Sequence, residues 1–398
     1  MTGPARRPAP GADAAPVWRS ARLALGTASA LGLGRFAYGL VLPAMAERLS
    51  WDLARAGTMT TANGLGYLAG AVATAALARR LGVAATFRLG MVLCAVSLAA
   101  TATSAHYPAL LAGRAVAGFG GALVFIAGAV LAPTAVYFAG TGAGIVLSAA
   151  VVPPLLDQHP QRWPLAWAIL AAAAALAAAL SWTAAGPAPI AGADRPATPV
   201  RRLWPVAIVY LLFAAGYIAY ITFLSAYLAD RHASTVQTTV TWVLLGLAVI
   251  AAPTLWQRPI RQWPGGRTLG VLLTGIAGAA ALALLAPVPA IVIVSAITYG
   301  ATFMAVPAAV TALVRATTTP KELTGTLSAF TIIFAAGQIA GPWLAGALAD
   351  HTTSAATLGW TAALCAVGAI LAITTVRERP SPGPHGSARP AMTSTPHE

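Results

Sequence analysis

Charge is what this chain has least of. Charged residues make up 9% of its 398 residues, and only ten of them are Asp or Glu. A water-soluble domain of that size would carry far more surface charge, so a soluble globule is excluded. Cysteine is nearly as scarce: Cys94 and Cys365 both fall in apolar stretches. They form neither a disulfide framework nor a metal-ligand spacing, and are read as apolar packing. No Asp, Glu or His is expected deep within an apolar stretch. A hydrolase would need paired acids or a His-based constellation, so an intramembrane enzyme is disfavoured. No metal site and no cofactor is expected.

What fills the chain instead is apolar sequence, 58% of all residues. It falls into twelve stretches of roughly 19 to 25 residues between Ala21 and Val376, about the length that carries a helix across the hydrocarbon core. The fold class is therefore an all-α membrane protein with twelve transmembrane helices, and the lipid bilayer is its first partner. Pro and Gly punctuation marks the ends of many helices, at Pro108, Pro164, Pro205, Pro264, the Pro287-Val288-Pro289 turn and Pro320. Several tryptophans, among them Trp18, Trp51, Trp163, Trp182, Trp204 and Trp263, sit near expected span ends, where an amphipathic ring prefers the headgroup level.

The longest internal polar segment, with Pro187, Pro189, Pro196 and Pro199, divides the spans six and six. The expected organisation is a disordered N-terminal tail over 1–19, a six-helix bundle over 20–185, and a cytoplasmic linker over 186–203. A second six-helix bundle follows over 204–376, and a disordered tail over 377–398. Sliding the first half by 182 residues, without a gap, aligns Gly34, Ala37, Tyr38 and Leu42 with Gly216, Ala219, Tyr220 and Leu224. The same offset pairs Gly64, Leu65 and Arg79 with Gly246, Leu247 and Arg261, and Gly118 with Gly300. One offset that holds from the first span to the fourth indicates parallel six-helix repeats.

The net charge of +14 invites a nucleic-acid reading, but its placement argues otherwise. Of 23 Arg and one Lys, eighteen fall on the side of the N-terminus if that end is inside, including Arg79, Arg80, Arg88, Arg201, Arg202, Arg315 and Lys321. Only Arg48, Arg55, Arg162 and Arg231 fall on the other side, and Arg35 and Arg114 sit within spans. Bias of this size in short loops places both termini in the cytoplasm and the chain in the plasma (inner) membrane. No nucleic acid is expected as a partner. Ala44-Met45-Ala46 has the small-x-small cleavage pattern, but the apolar stretch before it is too long for a signal peptide and contains Arg35, so a retained first helix is expected.

Six plus six parallel repeats with both termini inside resemble the major facilitator superfamily, over about 21–376. Its fourth-span pattern of an Arg followed by spaced glycines is similar to Arg114 with Gly118, Gly120 and Gly121. Its cytoplasmic loop motif resembles Leu77-Ala78-Arg79-Arg80-Leu81-Gly82, with Arg79 where the family usually has Asp. That departure bears on the family's gating salt bridge. Within the superfamily, Gly32-Leu33-Gly34-Arg35-Phe36-Ala37-Tyr38 leading to Leu42-Pro43 looks like the YbfB-type branch. So does Asn63-Gly64-Leu65-Gly66-Tyr67-Leu68-Ala69-Gly70. The resemblance implies a transporter and places Arg114 beside the cavity, where such an Arg has been linked to proton coupling. By position alone Arg114 could equally snorkel to the interface.

An Arg near the middle of a span costs about 2.5 to 3.5 kcal/mol on insertion scales, so Arg35 must face protein or a wet cavity. Its planar fork suits a carboxylate or phosphate; the bland reading is that it ties backbone carbonyls of neighbouring helices. Tyr38, three residues on, shares its face. Asn63, Tyr67, Tyr217, Tyr220, Tyr299 and Gln338 supply further polar groups within spans, each of which could also be helix–helix glue. With Arg35 and Arg114 these are the candidate substrate-binding residues. Glu47, Arg79 and Arg80 are the candidates for gating or coupling. A proton is a candidate co-substrate, carried by the solute or by Glu47. The expected activity is secondary active or facilitative transport of a small organic solute, best an organic anion, by alternating access of a monomer. An exporter of lipophilic drugs or metabolites is the rival within transport. A non-transporting receptor or scaffold is the rival outside it.

Overall fold

The computed structural model describes residues 17–132, 135–187, 203–286 and 288–376. The expected tails before residue 17 and after 376, nearly all of the expected linker, and the middle of the turn before Ala135 lie outside the described residues. All described regular structure is helical. Twelve long helices run α1 (Val17–Leu49), α2 (Leu53–Leu81), α3 (Val83–Ala102), α4 (Tyr107–Leu131), α5 (Ala135–Leu156) and α6 (Trp163–Ser181). The second set is α7 (Trp204–Asp230), α8 (Thr235–Gln262), α9 (Gly265–Leu285), α10 (Pro289–Thr317), α11 (Pro320–Asp350) and α12 (Ala355–Thr375).

Local chemistry explains most of the boundaries. Proline occupies the first turn of α4, α6, α7, α10 and α11, where its missing N–H costs nothing. The expected punctuation thus starts these helices rather than ending their predecessors. Asp52 caps α2, Ser234 caps α8, and Thr319 with Glu322 forms a capping box on α11. Several helices outrun the expected spans: α1 has 33 residues and begins at Val17, inside the expected tail, and α11 has 31. Tilt and extension past the hydrocarbon accommodate the excess. Eleven helices are long and apolar enough to cross a membrane. The exception is α2, which is 29 residues long but carries Thr58, Thr60, Thr61 and Asn63. Its neighbours α4 and α11 cover it, so its polar groups face protein rather than lipid.

Contacts separate α1–α6 from α7–α12, with three seams between the sets: α1 on α7, α2 on α11, and α5 on α8. Backbones touch along these seams. A methyl on Gly57 would lie 2.5 Å from the Pro342 carbonyl oxygen, and one on Gly142 would lie 2.4 Å from that of Gly246. An even number of spans puts both chain ends on one side, called here the base. The α1/α7 and α2/α11 seams close in the half away from the base.

The same close approach holds each bundle together. A Cβ on Gly118 of α4 would stand 1.9 Å from the Asn63 carbonyl oxygen of α2, whereas one on Gly278 of α9 meets nothing within 4 Å. Gly118→Ala is therefore expected to lose about 1 to 3 kcal/mol by forcing α2 and α4 apart. Gly278→Ala is expected to be neutral or to gain up to about 1 kcal/mol through helix propensity. Thermal unfolding of the purified protein in detergent checks both; equal effects of the two substitutions would contradict this packing.

Candidate functional site

The middle of α1 is not α-helical. Residues Ala28–Phe36 form a π-helix, marked by the Ala37 N–H donating to the Gly32 carbonyl at 2.9 Å. Wider turns of this kind are common at functional positions. Arg35 lies in its last turn and is 6% exposed. Its Nη2 donates to Gln338 Oε1 of α11 at 2.7 Å, and Gln338 Nε2 donates to the hydroxyl of Tyr217 on α7. The guanidinium also lies 5.5 Å from the Tyr67 ring centroid and 5.9 Å from that of Phe36, which adds cation–π attraction. No carboxylate among the described residues pairs with it, and its Nε is buried without an acceptor. One bond to a neutral amide thus joins the bundles while leaving a full positive charge uncompensated.

Arg35, Tyr67, Tyr217 and Gln338 all line a cavity of about 210 Å³ between the bundles, in the half nearer the base. From the first bundle its wall also takes Leu31, Phe36, Phe125 and Ile126; from the second it takes Tyr210, Phe213, Phe303 and Phe334. Met304, Pro307, Thr311 and Thr331 complete it. The break in α10 between Phe303 and Ala305 has a local cause: Pro307 cannot donate to the Phe303 carbonyl, so the helix bends where it borders the cavity. No Asp, Glu or His lines the wall, and no metal-binding cluster of His, Cys, Asp or Glu is found among the described residues.

Five of the nine expected binding residues sit elsewhere. Arg114, expected beside the cavity or at the interface, is 2% exposed within the first bundle. Its Nη1 donates to the Gly34 carbonyl at 2.5 Å and its Nη2 to the Arg35 carbonyl at 3.4 Å. Its guanidinium lies 5.0 Å from the Tyr38 ring centroid. It ties down main-chain oxygens at the end of the π-helix and does not line the cavity. Tyr38 donates to the Ala56 carbonyl at 2.7 Å, and the Asn63 Nδ2 donates to the Arg114 carbonyl at 3.1 Å. Tyr220 bonds Ser295 at 2.7 Å, and Tyr299 donates to the Tyr217 carbonyl at 2.6 Å. Their hydroxyls and the Asn63 Nδ2 are spent on helix–helix contacts, while the Asn63 Oδ1 is buried without a partner.

The gating candidates fare differently again. Glu47, Arg79 and Arg80 are exposed at helix ends and make no cross-bundle bond among the described residues. The carboxylates that join the bundles lie opposite the base. Asp350, at the end of α11, accepts from the Leu53 N–H at 2.7 Å and the Ala54 N–H at 2.8 Å. With Asp52 accepting from the Arg55 N–H at 2.6 Å, three of the four orphan amides of α2 are satisfied, and an anion meets a helix N-terminus. Across the pseudo-two-fold, Asp157 just past α5 accepts from the Thr235 hydroxyl at the start of α8. An acidic residue closing α11, and another following α5, were visible in the sequence; their partner helices were not.

Known proteins agree with this architecture. The fold is that of a membrane transporter of the major facilitator type. The chain belongs to the family described as "Uncharacterised MFS-type transporter YbfB", whose model matches residues 27–376. Among solved structures it is similar to an aspartate-to-alanine mutant of the nucleoside transporter NupG, at 14% identity and a TM-score of 0.69, covering 89% of this chain and 98% of that one. It is also similar to the human organic anion transporter MFSD10, at 16% identity and a TM-score of 0.61, covering 90% and 99%. A third is a bacterial homologue of the human lysosomal transporter Spinster, in an inward-facing and occupied conformation, at 14% identity and a TM-score of 0.61, covering 91% and 95%. None of the curated proteins compared with the chain matches it.

Removing the Asp350 carboxylate strips two first-turn amides of their acceptor, at a cost of about 1 kcal/mol. In Asp350→Ala, hydrogen–deuterium exchange is expected to speed at Leu53 and Ala54 while the amides of α4 keep their protection. Unchanged exchange at the start of α2 would show that this bond holds nothing.

Proposed function

We propose that the chain carries a small organic anion across the plasma membrane by alternating access, as a monomer, with Arg35 as the residue that pairs with the solute. The observation that carries this reading is the uncompensated guanidinium on the cavity wall, with one Nη bonded to Gln338 and its Nε lacking an acceptor. Pairing with an anion renders the loaded site nearly neutral, which lowers the cost of moving it through a low-dielectric layer. The bundles over 20–185 and 204–376 rock about this site. The excess of Arg on the base side supports a cytoplasmic base. On that orientation the cavity lies in the inward half, beneath seams closed towards the outside. With no acid or imidazole on the wall, a coupled proton has the solute's own acidic group as its carrier. An organic anion transporter among the structural neighbours is in keeping with the reading.

A second reading draws on the same wall. Eight of the sixteen lining residues are aromatic, which favours an exporter of neutral lipophilic compounds if the charge proves idle. Counterflow in reconstituted vesicles, with organic anions and neutral compounds offered in parallel, separates the two and also excludes a pure receptor. A charge-assisted bond is worth about 1.5 to 3 kcal/mol. Arg35→Gln is therefore expected to slow exchange of the preferred anion by roughly tenfold to a hundredfold. Wild-type exchange by that variant would rule out the anion assignment.

A further inference from the structure

We propose that the solute is a planar aromatic carboxylate of one or two rings; this rests on the anion reading above and narrows it. The cavity has one charged residue and a wall of rings. Aromatic residues form half of the lining in a chain that is 8% aromatic overall, so the enrichment belongs to the cavity and not to the composition.

The rings are also aligned. Tyr210, Phe213 and Tyr217 follow one another at three- and four-residue spacing, which puts them on one face of α7. Phe213 and Tyr217 stack at 4.6 Å with 13° between their planes, and Tyr210 and Phe334 at 4.8 Å with 16°. Tyr217 and Phe334 lie 5.9 Å apart at 12°. Four rings from two helices thus share nearly one plane direction, so a flat guest can lie parallel to them, whereas a chair-shaped ring of the same carbon count cannot. The volume of about 210 Å³ has room for a compact solute.

The polar groups fit one acidic head and little else. Gln338 is engaged at both ends, by Arg35 and by Tyr217, and apart from the tyrosines the other polar groups on the wall are Thr311 and Thr331. A sugar with several hydroxyls would find few partners. A neutral hydrocarbon would leave the Arg35 Nε without an acceptor. A carboxylate arriving at the guanidinium compensates its charge, taking over the place of Gln338 Oε1. Because Arg35 belongs to the first bundle and the stacked rings to the second, such a solute contacts both bodies at once. Its two ends thereby replace the Arg35–Gln338 bond between the bundles.

Thermal-shift titration and counterflow of the full chain with benzoate, cyclohexanecarboxylate, benzamide and acetate test the proposal, on wild type, Arg35→Gln and Phe334→Leu. Benzoate is expected to bind about tenfold tighter than cyclohexanecarboxylate and to exceed acetate and benzamide by more. Phe334→Leu is expected to erase most of the ring preference, and Arg35→Gln to lose both carboxylates. The comparison of flat with puckered ring is made on wild type, so it stands even if a variant fails to fold. Equal binding of benzoate and cyclohexanecarboxylate, both lost in Arg35→Gln, would overturn the aromatic assignment and leave the anion reading intact. Benzamide binding as tightly as benzoate, with Arg35→Gln without effect, would overturn both, as would failure of all four to bind at millimolar concentration.

Discussion

A guanidinium placed halfway through a hydrocarbon layer must be satisfied by protein, and this chain solves that problem twice in opposite ways. Arg114 is answered by main-chain oxygens of Gly34 and Arg35 and flanked by the Tyr38 ring. It is a strut: its donors reach the carbonyls at the end of the π-helix and fix the pose of the residue next to them. Arg35 is that residue. It is given a single amide oxygen from the opposite bundle. Arg114, whose own Nε is also buried without an acceptor, thus positions the arginine that lines the cavity. What differs is access: Arg35 lines the cavity and Arg114 does not, and in low dielectric a charge within reach of an arriving anion gains more from it than it would in water.

The seams between the bundles share a second logic. Where carbonyl oxygens approach Gly57, Gly142 and Gly246, two backbones meet without intervening side chains. Contacts of this kind are numerous, weak and short in range, so they can be made and broken without unfolding either body. At the ends opposite the base, Asp350 and Asp157 add hydrogen bonds that join α11 to α2 and α5 to α8. Both carboxylates are exposed, so these bonds compete with water. The interface is sealed by packing and pinned at its rim by polar bonds.

The fold was legible to a large extent because the bilayer reads a one-dimensional property. Twelve apolar stretches, the polar break between the sixth and seventh, and the repeat at an offset of 182 residues need no knowledge of which helix touches which. Boundaries were less legible: α1, with 33 residues, and α11, with 31, are longer than a single hydrocarbon crossing needs. The polar side of α2 was hidden in protein, so this helix is a weak span by composition alone.

The site divides along the same line. Residue chemistry and depth sufficed to name Arg35, Tyr67, Tyr217 and Gln338 among nine polar candidates, since a polar group at mid-span is costly wherever it points. Whether it points into a cavity is a matter of angles. Arg114, Tyr38, Asn63, Tyr220 and Tyr299 have the same chemistry and depth, yet their hydroxyls, amide or guanidinium meet neighbouring backbone or side chains. The ring wall of Phe213, Phe303 and Phe334 escaped notice because an aromatic in a membrane helix is unremarkable until its neighbours are known. Sequence by itself settled that this is a twelve-span membrane protein with one arginine deep in its first span, because burial in lipid depends on composition and length. Only the assembled helices decided which arginine braces the backbone and which lines the cavity, because that depends on where partner atoms stand in space.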